Sequence, residues 1–176
     1  HRTLPVTRSL VLTLAYFASG WLGLQIPYSG AHITLVWLPT GIAVAALFRW
    51  GRGVWPGVYL GAFLVNLVIG SPWLLAAAIA VGNTLGPLLA AAWLKRNGFN
   101  PALDRQRDVG IFLVAAGVGM LVSSSAGLTS LVVAGLMPLD AAPLGWLIWW
   151  LGDTVGVLLA APVLLTLTRK TFEQFK

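Results

Sequence analysis

Residues 144–167 read LGWLIWWLGDTVGVLLAAPVLLTL, a stretch in which Asp153 is the one charged side chain. About 20 mostly apolar residues in a helix cross roughly 30 Å of hydrocarbon, so this stretch predicts a membrane-spanning helix. Working outward from it, five further segments qualify: residues 9–26, 32–47, 54–69, 73–94 and 110–137. Their apolar runs are continuous and lack the period-two alternation of a membrane β-barrel. The sequence therefore predicts an all-α integral membrane protein, a six-span helical bundle built from three hairpins, with residues 1–176 as a single transmembrane domain. Two segments are irregular. Proline removes a backbone donor and clashes with the preceding turn, so the second span is expected to be broken between Pro39 and Gly41. The fifth, about 28 residues and ~42 Å if wholly helical, should tilt strongly or break near Gly117, Gly119 or Ser123 to Ser125.

Composition supports this reading. The chain has 176 residues, 58% hydrophobic and only 9% charged, too few charges to cover the surface of a soluble enzyme. A disordered chain is excluded by the same hydrophobicity. The formal charge of +6 comes from 11 Lys and Arg against 5 Asp and Glu. Their placement is one-sided. Arg2 and Arg8 precede the first span, and Arg49 and Arg52 separate the second from the third. Lys95, Arg96, Arg105 and Arg107 separate the fourth from the fifth, and Arg169, Lys170 and Lys176 follow the sixth. The intervening loops, residues 27–31, 70–72 and 138–143, carry no Lys or Arg. Basic loops stay cytoplasmic, so both termini are expected in the cytoplasm of a multi-pass inner-membrane protein. The basic balance then reports topology, and no nucleic-acid partner is expected. No cleavage-site pattern follows the first apolar run, which is expected to be retained. In the long basic loop, Asn100-Pro101 reads as an N-cap followed by a first-turn proline. It predicts a short interfacial helix over residues 101–108, with Asp104 and Arg107 at i, i+3 spacing.

A repeat links two spans. Gly82-Asn83-Thr84-Leu85-Gly86 matches Gly152-Asp153-Thr154-Val155-Gly156 at an offset of 70, with Asn83 opposite Asp153. Buried polar groups are costly in hydrocarbon, so each needs a partner or a purpose. At ~1.5 Å per residue, Asp153, Asn83 and Thr40 lie about 12–15 Å inside the outer surface, on three different spans. Asn66 lies nearer that surface, and His32 is expected at the mouth. These residues, with Trp37, Pro39, Thr40 and Gly41 at the broken helix and Trp149 and Trp150 beside Asp153, are the candidates for a ligand- or signal-binding site opening outward. Trp150 and Asp153 are i, i+3 neighbours, and an aromatic pocket with one carboxylate suits a small organic or cationic ligand. The alternative reading is that Asn83 and Asp153 hydrogen-bond across helices as packing glue. Gly57 and Gly61, Gly82 and Gly86, and Gly152 and Gly156 recur at four-residue spacing, which lets helices pack closely. Nothing points to catalysis, a metal or a cofactor: there is no cysteine, no phosphate-binding Gly-x-x-x-x-Gly-Lys and no His-Glu-x-x-His.

The run Trp37-Leu38-Pro39-Thr40-Gly41-Ile42-Ala43, then Gly51-Arg52, Trp55-Pro56-Gly57, Gly82-Asn83-Thr84-Leu85, the loop from Asp104 to Asp108, Trp149-Trp150-x-Gly152-Asp153-x-x-Gly156 and Pro162 together resemble the membrane-associated sensor domain family (the MASE class, first type). The resemblance covers residues 12–167, although the family is usually described with more spans than the six that fit here. It implies an N-terminal membrane module that senses a small ligand or an envelope signal. The module would regulate a cytoplasmic diguanylate cyclase, cyclic-di-GMP phosphodiesterase or histidine kinase domain, as in two-component systems, from a homodimer of the full-length protein in the lipid bilayer. The rival expectation is a substrate-binding membrane subunit of a vitamin transporter of the energy-coupling-factor type, which is similar in span number and outward pocket.

Overall fold

A computed structural model describes residues 3–25 and 33–167. His32, the outer loop at 27–31, Arg2 and the C-terminal stretch with Arg169, Lys170 and Lys176 lie outside the described residues. The described residues form six helices and no strand: α1 (Thr3–Gly23), α2 (Leu38–Trp50), α3 (Trp55–Val68), α4 (Trp73–Arg96), α5 (Gln106–Val133) and α6 (Ala142–Thr166), with a single 3₁₀ turn at Arg52–Val54. Helices α4, α5 and α6 are each long and apolar enough to cross a membrane. At 13 and 14 residues, α2 and α3 are shorter.

The helices close into a ring. α1 packs on α3, α3 on α4, α4 on α5, α5 on α6, α6 on α2 and α2 on α1, while α2 also reaches α4. The short α2 is therefore the element common to both halves, and its Gly41-Ile42-Ala43-Val44-Ala45-Ala46 run explains how. Small side chains let three neighbours approach, and Thr40, Ala43, Val44 and Leu47 are fully buried. One apolar cluster joins Leu12, Tyr16, Trp37, Leu47 and Val58 on the α1–α3 side. A second joins Val44, Leu94, Phe112, Met120, Val157 and Leu165 on the α4–α6 side. The outward surface is apolar as well, with Leu14, Leu74, Leu89, Val118, Leu159 and Val163 exposed. A belt of that size has no place on a water-soluble monomer.

Two local expectations are corrected, and of the two alternatives for the fifth span the break is removed. The second segment is not a helix broken between Pro39 and Gly41: the chain is non-helical over 33–37, and α2 begins at Leu38 with Pro39 in its first turn. Proline suits that place, because the first-turn N–H groups have no intrahelical partner to lose. Helix α5 runs unbroken through Gly117, Gly119 and Ser123 to Ser125. Gly119 fits against Ala90 of α4, and Ser124 returns its hydroxyl to the carbonyls of Met120 (3.0 Å) and Leu121 (3.2 Å). Residues 101–105 form a turn rather than an interfacial helix. The Asn100 side chain accepts the Ala102 N–H at 3.1 Å, and Leu103 adopts φ 53°, which ends any helix there. Asp104 and Arg107 do not pair. Instead Arg105 Nε donates to Asp108 Oδ2 at 2.5 Å, the Asn100 N–H reaches Asp108 Oδ1 at 3.0 Å, and Arg107 donates to the Asn97 carbonyl at 3.0 Å. The Arg105 guanidinium and then the Asn100 N–H hold the Asp108 carboxyl below the usual carboxylate range, and Asp108 holds Arg105 above its own.

Candidate functional site

Asp153 sits eleven residues into α6 and is 1% exposed. Around it, four other helices contribute polar atoms. Ser123 of α5 donates to Asp153 Oδ2 at 2.5 Å and also lies 3.0 Å from Asn83 Oδ1 of α4. The two polar residues of the sequence repeat, Asn83 and Asp153, thus converge on one serine hydroxyl. Thr40, in the first turn of α2, has its hydroxyl 3.4 Å from Asp153 Oδ1 and donates to the Trp37 carbonyl at 2.7 Å. The Trp37 indole N–H donates to the Tyr16 hydroxyl of α1 at 3.3 Å, and the two rings meet edge to face. The first turn of α2, where a helix's backbone dipole is positive, thus stands beside this carboxylate through Thr40. The site is therefore built where helices begin or cross, with no Lys or Arg supplied to it: among the described residues the one ion pair is Arg105–Asp108.

The non-helical residues that precede α2 are held against α6. The Trp37 N–H donates to the Gly152 carbonyl at 2.9 Å. A Cβ added at Gly152 would run into the Thr34 carbonyl, and one at Gly156 into the Trp37 carbonyl. Only glycine leaves room for a backbone to lie directly on a helix in this way. The other small-residue pairs serve ordinary helix contacts: Gly57 and Gly61 receive Ser9 and Tyr16 of α1, and Gly82 and Gly86 receive Ala126, Ser123 and Gly119 of α5. Gly41 faces Gly156 and Ala160 across the α2–α6 contact.

A cleft reaches the cluster, lined by Trp37, Asn66, Asn83, Trp149 and Asp153 together with Leu24, Ile33, Thr34, Ile69 and Ile79. It is narrow, with free room for about one water molecule. Asn66 stands in its wall with its amide donated to the Ala62 carbonyl at 2.9 Å. Of the candidate tryptophans, Trp37 and Trp149 line the cleft. Trp150 does not: its indole N–H donates to the Gly117 carbonyl at 2.8 Å and its ring stacks on Trp146. Pro39 and Gly41 shape α2 without lining the cleft. Ser123 and Tyr16 are members of the cluster that sequence reasoning did not single out. Ser123 was read there only as a possible break in the fifth span.

The MASE1 family model matches residues 6–176. The probable diguanylate cyclase DgcE of Escherichia coli (strain K12) is 25% identical over 165 residues, which is 90% of this chain and 14% of that relative. The chain thus spans a small part of the length of the relative it matches. No solved structure matches it.

Proposed function

The chain belongs to the MASE1 family of membrane sensory domains, and on that premise we propose that it reads a signal at the Asp153 cluster and passes it through α6 to a cytoplasmic output domain. The six helices are taken as six spans in three hairpins, with both termini in the cytoplasm of the inner membrane. The basic residues support that orientation: Arg8 lies over Trp50, Lys95 lies over Phe48 and Arg49 donates to the Leu165 carbonyl at 3.4 Å, so they gather at one end of the bundle. The relative's name makes a diguanylate cyclase the first candidate for the regulated domain, ahead of a cyclic-di-GMP phosphodiesterase or a histidine kinase, within a homodimer of the full-length protein. The domain itself does no chemistry in this reading.

One observation carries the proposal. The acid in the middle of α6, far from either end of the helix, sits where α2, α4, α5 and α6 meet, and a cleft reaches it. An intramembrane carboxylate at such a junction costs stability and is kept where it serves a signal. A change of charge or contacts at Asp153 would favour a different packing of α6 against its neighbours. The test is the output of the full-length protein at normal expression with Asp153→Asn, Thr40→Val or Trp149→Ala. Altered basal or stimulated output is expected, and output indistinguishable from wild type in all three would overturn the proposal.

A further inference from the structure

Between α1 and α6 the ring is closed by α2: each packs on α2, and no packed interface joins the two. The gap between them is a groove of about 230 Å³, open on the flank of the bundle. Its floor is one face of α2, where Ile42, Ala45, Ala46 and Arg49 follow at i, i+3, i+4 and i+7. Val11 and Ala15 of α1 form one wall and Leu164 of α6 the other. The chemistry changes along the groove. From Ile42 to Arg49 is about 10 Å of helix, apolar until the Arg49 guanidinium and the Trp50 indole at the basic end of the bundle. Arg8 stands over the Trp50 ring at 5.9 Å, so a second arginine gathers at that end. Neither meets a carboxylate: among the described residues the one ion pair is Arg105–Asp108, and Arg49 donates to the Leu165 carbonyl at a long 3.4 Å. A guanidinium carries five N–H donors, and that single bond to a neutral oxygen leaves most of them unused.

We propose that this groove binds an anionic phospholipid of the cytoplasmic leaflet. The lipid phosphate takes the unused N–H groups of Arg49, with Arg8 beside it, and one acyl chain lies over Ile42, Ala45 and Ala46 toward the bilayer midplane. Three features select this occupant. The hydrocarbon of one leaflet is about 15 Å thick, so a chain hung from a headgroup at Arg49 runs the whole ~10 Å of the groove. Basic pockets between helices at the cytoplasmic face suit lipid headgroups, and the planar guanidinium matches phosphate oxygens in pairs. A second copy of this chain fits less well: the same length of a helix ~10 Å across occupies roughly 800 Å³, several times the space between α1 and α6. That copy would also bring mostly further arginine and lysine to the basic end, where like charges repel.

The inference takes the membrane setting from the functional reading above and nothing from the role of Asp153, so the two fail separately. The experiment places the full-length protein in phosphatidylcholine nanodiscs with a minority of phosphatidylglycerol that carries a photoreactive group on its acyl chain, and maps the cross-linked peptides. Adducts are expected on residues 11–15 and 42–46, displaced by unlabelled phosphatidylglycerol but not by phosphatidylcholine or inorganic phosphate. An arginine near the surface strengthens such binding about fivefold, so Arg49→Gln and Arg8→Gln should each weaken it by about that factor. Arg96→Gln, on α4 and outside the groove, should not. Ala15→Phe, which fills the groove and keeps both arginines, should remove the adducts. Among the described residues Arg8 makes no hydrogen bond, so Arg8→Gln serves where Arg49→Gln does not fold. Adducts spread evenly over the exposed apolar belt overturn the inference, as does equal displacement by phosphatidylcholine or binding unchanged in both arginine variants. Protection of the same peptides that follows dimer formation rather than lipid content assigns the groove to a second copy and overturns it too. If the adducts map to the groove while output ignores Asp153, only the sensory reading falls.

Discussion

Gly156→Ala tests the seating of residues 34–37 on α6. A Cβ at Gly156 would run into the Trp37 carbonyl, with the Leu38 nitrogen also 3.1 Å away. To regain van der Waals separation the segment must lift off α6 by roughly 1 Å. That shift takes with it the 2.9 Å bond from the Trp37 N–H to the Gly152 carbonyl. Overpacking of this kind costs about 1–3 kcal/mol and the lost hydrogen bond about 1 kcal/mol. Alanine returns up to about 1 kcal/mol as the better helix former, leaving a net loss of about 1–3 kcal/mol. Gly110→Ala is the matched control. It too lies in a helix, nothing stands within 4 Å of the added Cβ, and only the helix gain of up to about 1 kcal/mol remains. Reversible unfolding in mixed micelles, followed by near-ultraviolet circular dichroism, compares the two. If Gly156→Ala unfolds within about 0.5 kcal/mol of Gly110→Ala, the account of this contact is wrong.

Three further outcomes are expected. A double-mutant cycle of Ser123→Ala with Asp153→Asn should show a coupling of about 0.6 kcal/mol, up to about 1.7 kcal/mol, in the same unfolding assay, and additive effects would contradict the bond between them. Trp37→Phe keeps a ring against Tyr16 but removes the indole donor, so a loss of about 1 kcal/mol is expected and wild-type stability would sink the assignment. The Asp108 carboxyl titrates lower in the folded chain than in the unfolded one. Its contribution is therefore complete above the ordinary aspartate value of ~3.9 and is lost as pH falls through the lower folded value. Hydrogen exchange over residues 97–108 should stay protected down to about pH 4 and open only below it. Opening already at about pH 5, or unchanged protection in Asp108→Asn, would contradict the pairing.

The parts of the fold legible in the sequence are those set by length and polarity. Helices α4 and α6 come within two residues of the expected segments because an apolar run of that length has few alternatives. The start of α2 and the turn at 101–105 were not legible: the first depends on a contact distant in sequence, the Gly152 carbonyl for Trp37, and the second on Asp108 reaching back over eight residues to the Asn100 N–H. The site divides the same way. Asp153, Asn83 and Thr40 stand out because such groups are expensive in hydrocarbon. Ser123 does not, because a serine in an apolar helix can satisfy itself on the preceding turn, as Ser124 does on Met120. Trp149 and Trp150 are both within a turn of Asp153, and packing alone decides that Trp149 faces the cleft while Trp150 is spent on the Gly117 carbonyl.

The backbone resting on Gly152 and Gly156 also limits how α6 can travel. Turning the helix in place would bring a side chain beneath the Thr34 or Trp37 carbonyl, where there is no space for one. Sliding by four residues, about 6 Å, brings Gly156 beneath Thr34 but sets the Ala160 methyl beneath Trp37, the same overlap that Gly156→Ala creates. The helix thus has a detent, with one comfortable seat and another, a turn away, that is reached only if residues 34–37 lift off α6. Movement past such a catch is stepwise, and a graded stimulus would reach the far end of α6 as a change in how many molecules occupy each seat.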